Sequence, residues 1–327
     1  MRAVTPHIYE IDTEAFGQEK IVASYLIKGK DKTALVDPGF PSSAPIIKEK
    51  LKNNGFDPAN IDYVLLTHFH LDHSGGTGAI LKDSPKAKVV IHKRAAFYIR
   101  NFAKVVGGAR MVFRPEIIKK FGMAYDVPHD SVVPVTDGET IDLGGGVRVR
   151  VIHTPGHCPD EVSFFEESSG AMITGDMACL QYPAFNYVPI PAGSPPIFDL
   201  AEEVASLEAL RSIQAGRILL PHYGELQGSW KDFIDNSIEA IENTRNKING
   251  MFKENIEFQQ MVERLRADLI RASGKRIEDV PAFLSEVYIR EMLKTGLMGF
   301  FAYLLEYAPY PRSFSYEACT VGISQEE

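Results

Sequence analysis

Three imidazoles and one carboxylate fall within six residues, at His68, His70, Asp72 and His73, directly behind the apolar run Tyr63-Val64-Leu65-Leu66. Neutral imidazole nitrogens and a carboxylate oxygen together suit zinc, iron(II) or manganese, and no purely structural role needs all four in one turn. The cluster reads as a metal site leaving the end of a strand. Ser74, Gly75 and Gly76 behind it read as a tight reversal into a helix, with Ser74 as its N-cap. Four donors do not complete two metals, so more are expected at other strand ends. A strand over 147–152 runs into Thr154-Pro155-Gly156-His157. A short strand over 171–174 ends at Gly175-Asp176, and Arg217–Leu220 ends at Pro221-His222-Tyr223. Each donor lies beside Gly or Pro, where loops carry chemistry on a rigid scaffold.

The elements that must position these donors alternate. Strands are expected over 21–27, Thr33–Val36, 62–67 and Lys88–His92, with a helix over 43–54 after the turn Asp37-Pro38-Gly39. Alternation of this kind means an α/β fold. Residues 93–128 form a long insertion with helical pieces, expected to lie over the metals as a lid, with Arg110 and Arg114 as contacts for an anionic substrate group. A second loop, 179–196, is rich in Pro and aromatic residues and is expected to wall the cleft, with Tyr182 touching substrate. An amphipathic helix follows over 197–214. From 230 to 305 only helical patterns occur, with Asn255 as a cap, Gly274 as a stop, and an apolar stretch at 297–305 that docks the appendage or forms a homodimer contact. Residues 320–327 read as a frayed tail. The division expected is a catalytic domain over 1–226 and a helical domain over 227–327.

Composition excludes several partners. The chain carries a net charge of −8, and residues 231–310 hold 11 Lys and Arg against 13 Asp and Glu. A nucleic-acid binder needs a basic face to displace counterions, so the balance points away from RNA and toward a small-molecule substrate. No apolar stretch reaches the roughly 18 residues that span a bilayer, and the N-terminus has no basic-then-apolar leader, so a cytoplasmic protein is expected. Cys158, Cys179 and Cys319 are odd in number and widely spaced, which argues against a disulfide framework. His7, His92, His129 and His153 lie outside the donor blocks and read as surface or core residues.

The ordered set His-x-His-x-Asp-His, Thr-Pro-Gly-His, Gly-Asp and Pro-His resembles the metallo-β-lactamase superfamily over residues 1–226. The resemblance implies a four-layer αβ/βα sandwich with two divalent metal ions, zinc first, with iron or manganese as alternatives. It implies that His68, His70 and His157 hold one ion and Asp72, His73 and His222 the other, with Asp176 between them. The activity implied is hydrolysis of a small ester, thioester or lactone by a hydroxide shared between the ions. Asp72 would orient that nucleophile, and Tyr223 would donate a hydrogen bond to the oxyanion. Glyoxalase II-like and lactonase-like branches are the nearest in kind, although lactonases of this family have a tyrosine where this chain has Cys179. Ser163-Phe164-Phe165 and Pro195-Pro196-Ile197-Phe198 resemble an uncharacterised prokaryotic hydrolase branch. Two readings of other classes stay open: a mononuclear iron dioxygenase of the persulfide dioxygenase type, and an endoribonuclease-like phosphodiesterase.

Overall fold

The computed structural model describes residues 1–307; the tail expected at 320–327 and Cys319 lie outside the described residues. The first sheet has seven strands in chain order: β1 (Arg2–Ala3), β2 (Ile8–Asp12), β3 (Ala23–Lys28), β4 (Thr33–Val36), β5 (Tyr63–Leu65), β6 (Lys88–His92) and β7 (Val132–Val135). Its first half is antiparallel, and β4 to β7 run parallel. The second sheet is built from β8 (Thr140–Asp142), β9 (Arg148–His153), β10 (Val162–Glu166), β11 (Ala171–Ile173), β12 (Arg217–Leu220) and β13 (Gly224–Leu226), in the order β13-β12-β11-β10-β9-β8. It is antiparallel except for the parallel pair β11 and β12.

Strands covered on both faces read as continuous apolar runs rather than alternating ones, which is why Val64 and Leu65 in β5 and Val89, Val90 and Ile91 in β6 are all buried. One core joins the sheets. Tyr25, Val36, Leu65 and Val90 of the first meet Val149, Val151, Phe164, Ile173 and Leu219 of the second. This is the α/β architecture of paired mixed sheets that the resemblance implied.

The helices are α1 (Ala44–Asn53), α2 (Leu71–Ser74), α3 (Thr77–Leu81), α4 (Ala96–Ile99), α5 (Phe102–Val112), α6 (Pro115–Phe121), α7 (Leu200–Leu210), α8 (Trp230–Lys253), α9 (Phe258–Ser273) and α10 (Ile289–Tyr307). Three expectations need correction. Ser74 is not an N-cap: α2 begins at Leu71 inside the histidine cluster with His70 at its cap position, and the Ser74 hydroxyl turns back to the carbonyls of Phe69 (2.7 Å) and His70 (3.0 Å). Asn255 does not cap α9, because it is left-handed at φ 54° and Glu257 occupies the cap position. The helix expected over 197–214 is the shorter α7, capped by the Asp199 side chain accepting from the Glu202 N–H. Gly274 does end α9, at φ 64°. None of the described helices is long and apolar enough to cross a membrane.

The chain forms two compact units. The first is Met1–Thr154, Asp160–Gly175 and Ser212–Trp230; the second is Pro155–Pro159, Asp176–Arg211 and, among the described residues, 231–307. The linear boundary expected at 226/227 therefore does not describe the grouping. Its physical reason is hydrogen bonding within the second unit. Asp199 N–H donates to Gly156 O (2.8 Å), the Ser206 hydroxyl to Pro155 O (2.6 Å), the Ser237 hydroxyl to Ala178 O (3.1 Å), and Asn186 Nδ2 to Ser273 O (2.7 Å). These bonds tie the two loops to α7, α8 and α9.

Candidate metal centre

In the first unit the histidine cluster springs from the C-terminal end of β5, as the sequence led one to expect. Asp37, at the end of β4, holds it from behind. Its Oδ1 accepts from the Thr67 N–H (2.9 Å), and its Oδ2 accepts from the Thr67 hydroxyl (2.7 Å) and from His73 Nδ1 (3.0 Å). An ionised carboxylate only accepts, so His73 carries its proton on Nδ1. The Thr67 hydroxyl spends its one proton on Asp37, so toward His68 Nδ1 (3.1 Å) it can only accept, and His68 carries its proton there too. Both rings are thereby fixed with Nε2 as the basic nitrogen, the tautomer a metal needs.

His222 is brought to the same cluster by β12. The end of that strand is pinned to β3, with the Tyr25 hydroxyl donating to Leu220 O (2.6 Å) and the Ala23 N–H to Pro221 O (2.7 Å). His222 Nε2 then lies 3.6 Å from Asp72 Oδ2, and His73 Nε2 lies 3.9 Å from the same oxygen. Ligand atoms of Asp72, His73 and His222 fall within 4.8 Å of one another, a grouping that can hold a metal ion. The His68 ring sits edge-on to His70 at 4.6 Å and beside His73 at 4.1 Å. Five of the seven expected donors are thus gathered within this unit. All are imidazole or carboxylate, which fits a borderline divalent ion.

The second unit carries the other two. His157 follows the Pro155-Gly156 turn, and its Nδ1 donates to the Ala192 carbonyl, which again leaves Nε2 as the basic nitrogen. That Nε2 lies 3.8 Å from Asp176 Oδ2, and both side chains are buried.

The candidate substrate contacts stand differently. Arg110 and Arg114 are exposed on the insertion. Tyr182 is fully buried and packs edge-on against Tyr288, so in this conformation it presents no surface to a ligand. The Tyr223 hydroxyl is engaged by Glu10 and Asp12; burial first, then those two acids, raise its pKa far above the usual phenol range. As placed, it serves those carboxylates rather than an oxyanion. The insertion is helical, with Ile99, Phe102, Val105, Val112, Ile117 and Phe121 packed inward. Tyr98 stacks on Phe69 at 4.5 Å, so the insertion touches the residue between His68 and His70. His92 stacks on His153 at 4.3 Å, and burial together with that neighbour pushes it down to about 4, a neutral core histidine. Cys158 and Cys179 are buried, and burial followed by Glu203 pushes the Cys179 thiol well up, so it is not a thiolate at neutral pH.

Sequence reasoning misses four participants. Asp37 and Thr67 read as a turn and a strand end only. Ala192 acts through its backbone, which leaves no side-chain signal. Glu203 is the fourth: with Leu200, Leu207 and Leu210 it lies on the buried face of α7, at a helical register where an apolar residue is the rule.

The Asp37 arrangement gives a direct test. In Asp37→Asn the amide offers an N–H₂ group where Thr67 and His73 require acceptors. Metal affinity should fall about 10- to 100-fold and stability by about 1–3 kcal/mol. Chelator competition and thermal melting measure both; wild-type affinity in the variant would show that Asp37 does not orient the ligands.

A family model described as the metallo-beta-lactamase superfamily matches residues 17–222. The metallo-beta-lactamase fold-containing protein ST1585 of Sulfurisphaera tokodaii is 30% identical over 192 residues, 58% of this chain and 67% of that protein. The atrochrysone carboxyl ACP thioesterase nsrC of Aspergillus novofumigatus is 24% identical over 291 residues, covering 85% of this chain and 75% of its own. Among solved structures, the metallo-beta-lactamase family protein TTHA1429 of Thermus thermophilus matches with a TM-score of 0.63 at 20% identity, covering 93% of this chain and 95% of that one.

Proposed function

Because this chain belongs to the metallo-β-lactamase superfamily, whose members are metal-dependent hydrolases, we propose that it is a dinuclear hydrolase acting on a small thioester, ester or lactone, with zinc as its metal. The observation that carries this reading is the convergence of Asp72, His73 and His222 beside two histidines, His68 and His70, with the His68 and His73 tautomers fixed by Thr67 and Asp37. His157 and Asp176 form a second ligand pair of the same chemistry in the other unit. Bound divalent ions supply a water acidified to near neutrality and a Lewis acid for the carbonyl oxygen.

The protein's part is to place and desolvate. His68, His73, His157, Asp176 and His222 are all at most 5% exposed, so the donors act in a medium of low dielectric where charges on the reacting carbonyl are felt strongly. Asp72, at 15% side-chain exposure, and the half-buried His70 are the donors with access to solvent, and of the two the Asp72 carboxylate is suited to orient a water and pass a proton to the leaving group. A thioester comes first among the substrates because a relative that spans most of this chain's length is named a thioesterase.

Elemental analysis of purified protein, paired with a panel of chromogenic thioesters, esters, lactones and phosphodiesters, tests the proposal. About two zinc-like ions per chain and cleavage of an acyl bond support it. A single iron with oxygen uptake on a persulfide moves the assignment to a dioxygenase. Phosphodiester cleavage with steep salt dependence moves it to a nuclease.

A further inference from the structure

We infer that Glu203 is a positioning residue, the buried counter-charge that holds the His157 and Asp176 ligand pair toward its cation. The inference rests on the metal-dependent reading above.

Glu203 is 0% exposed, and neither of its carboxyl oxygens has a hydrogen-bond partner. Other buried acids contrast with it: Glu10 pairs with Arg2 (2.8 Å), Asp37 with Thr67 and His73, Asp160 accepts from the Phe69 N–H (3.1 Å), and Glu166 accepts from Ser168 and Ser169. A buried carboxyl without a partner is costly, and the helix face it occupies is otherwise rich in leucine. A leucine there would pack as well without that cost. Packing therefore does not account for the acid.

Its surroundings do. Gly156, at φ 145°, lies so close to α7 that a Cβ on it would stand 2.3 Å from Glu203 Cα and 2.4 Å from Glu203 Cβ. The turn that presents His157 is thus seated on Glu203, clamped there by the bonds from Asp199 N–H to Gly156 O and from the Ser206 hydroxyl to Pro155 O. The carboxyl also feels Asp176 and Cys179 electrostatically. Glu203 is therefore the acid packed against the turn that carries His157 and within electrostatic reach of Asp176.

Two neighbouring carboxyls in a dry environment repel, and without a cation the arrangement works against folding. Burial and then Asp176 accordingly hold the Glu203 carboxyl well above its ordinary range. A divalent ion on Asp176 reverses the sign, because in low dielectric a second anion behind the ligand draws the cation in.

The test uses full-length protein stripped by chelator and reloaded with zinc or cobalt(II). Glu203→Gln keeps the shape and removes the charge, while Glu203→Leu also removes the partnerless polar group. Stripped Glu203→Leu should melt higher than stripped wild type, whereas both variants should bind zinc about 10- to 100-fold more weakly and alter the visible spectrum of the cobalt form. Glu203→Asp should recover part of the affinity. Unchanged zinc affinity and an unchanged cobalt spectrum in Gln and Leu variants would overturn the inference while leaving the hydrolase reading intact. A wild-type protein that retains no divalent ion would sink both.

Discussion

Asp176→Ala is expected to abolish turnover, by a factor on the order of 10³ or more, and to leave a folded protein that retains about one ion where wild type retains about two. Asp176 is 3% exposed and supplies the carboxylate of the second ligand pair, facing His157 Nε2 at 3.8 Å. Its loss removes a ligand and a negative charge together, so one cation loses both its bond and its electrostatic reason to remain. Folding should survive, because the change also takes an anion away from the buried Glu203 carboxyl. Kinetics on the best thioester, elemental analysis and circular dichroism of the same preparation check the three parts. Full activity in the variant, or a folded variant that still holds two ions, refutes the ligand assignment.

Metal removal should produce the second large effect. Donors this deeply buried carry a desolvation cost that a bound cation offsets, so loading the site should stabilise the native state by mass action. At free metal about 100-fold above the dissociation constant the gain is about 2.7 kcal/mol. A chelator should accordingly lower the melting midpoint and stop hydrolysis together, and added zinc should restore both. A midpoint indifferent to chelator, in a protein whose activity does respond, would mean that the ions bind too weakly to be counted as part of the fold.

Much of this site could be read before any coordinates, because its donors obey two local rules: they are imidazoles and carboxylates, and they sit where an apolar run gives way to a turn marked by Gly or Pro. His68, His70, Asp72, His73, His157, Asp176 and His222 follow both, and five of them gather in one unit. What escaped was whatever acts from behind. Asp37 sits in an ordinary Asp-Pro-Gly turn, and only the folded geometry brings it to His73, 36 positions further along the chain. Ala192 contributes a carbonyl, which every residue has. The start of α2 was misplaced because Leu71, 6% exposed between donors, belongs to the first helical turn rather than to the loop before it. Glu203 was legible in principle, as an acid in register with three leucines. The second unit was not, since the hydrogen bonds that join Pro155, Gly156, Ala178 and Asn186 to distant helices have no sequence periodicity.

The parallel pairing of β11 with β12 bears on how the protein comes of age. Antiparallel neighbours such as β9 and β10 can zip from a nearby turn, but β12 must wait for the whole intervening excursion, α7 included, before it aligns beside β11. Non-local strand closure of this kind is slow. His222 travels at the end of that late strand, so a nascent chain acquires its histidine cluster around Asp72 and His73 well before the donor that completes it. On the metal-dependent reading proposed above, cation capture is then a finishing event on a nearly mature chain, and a cell short of that cation would accumulate well-folded but idle protein rather than debris.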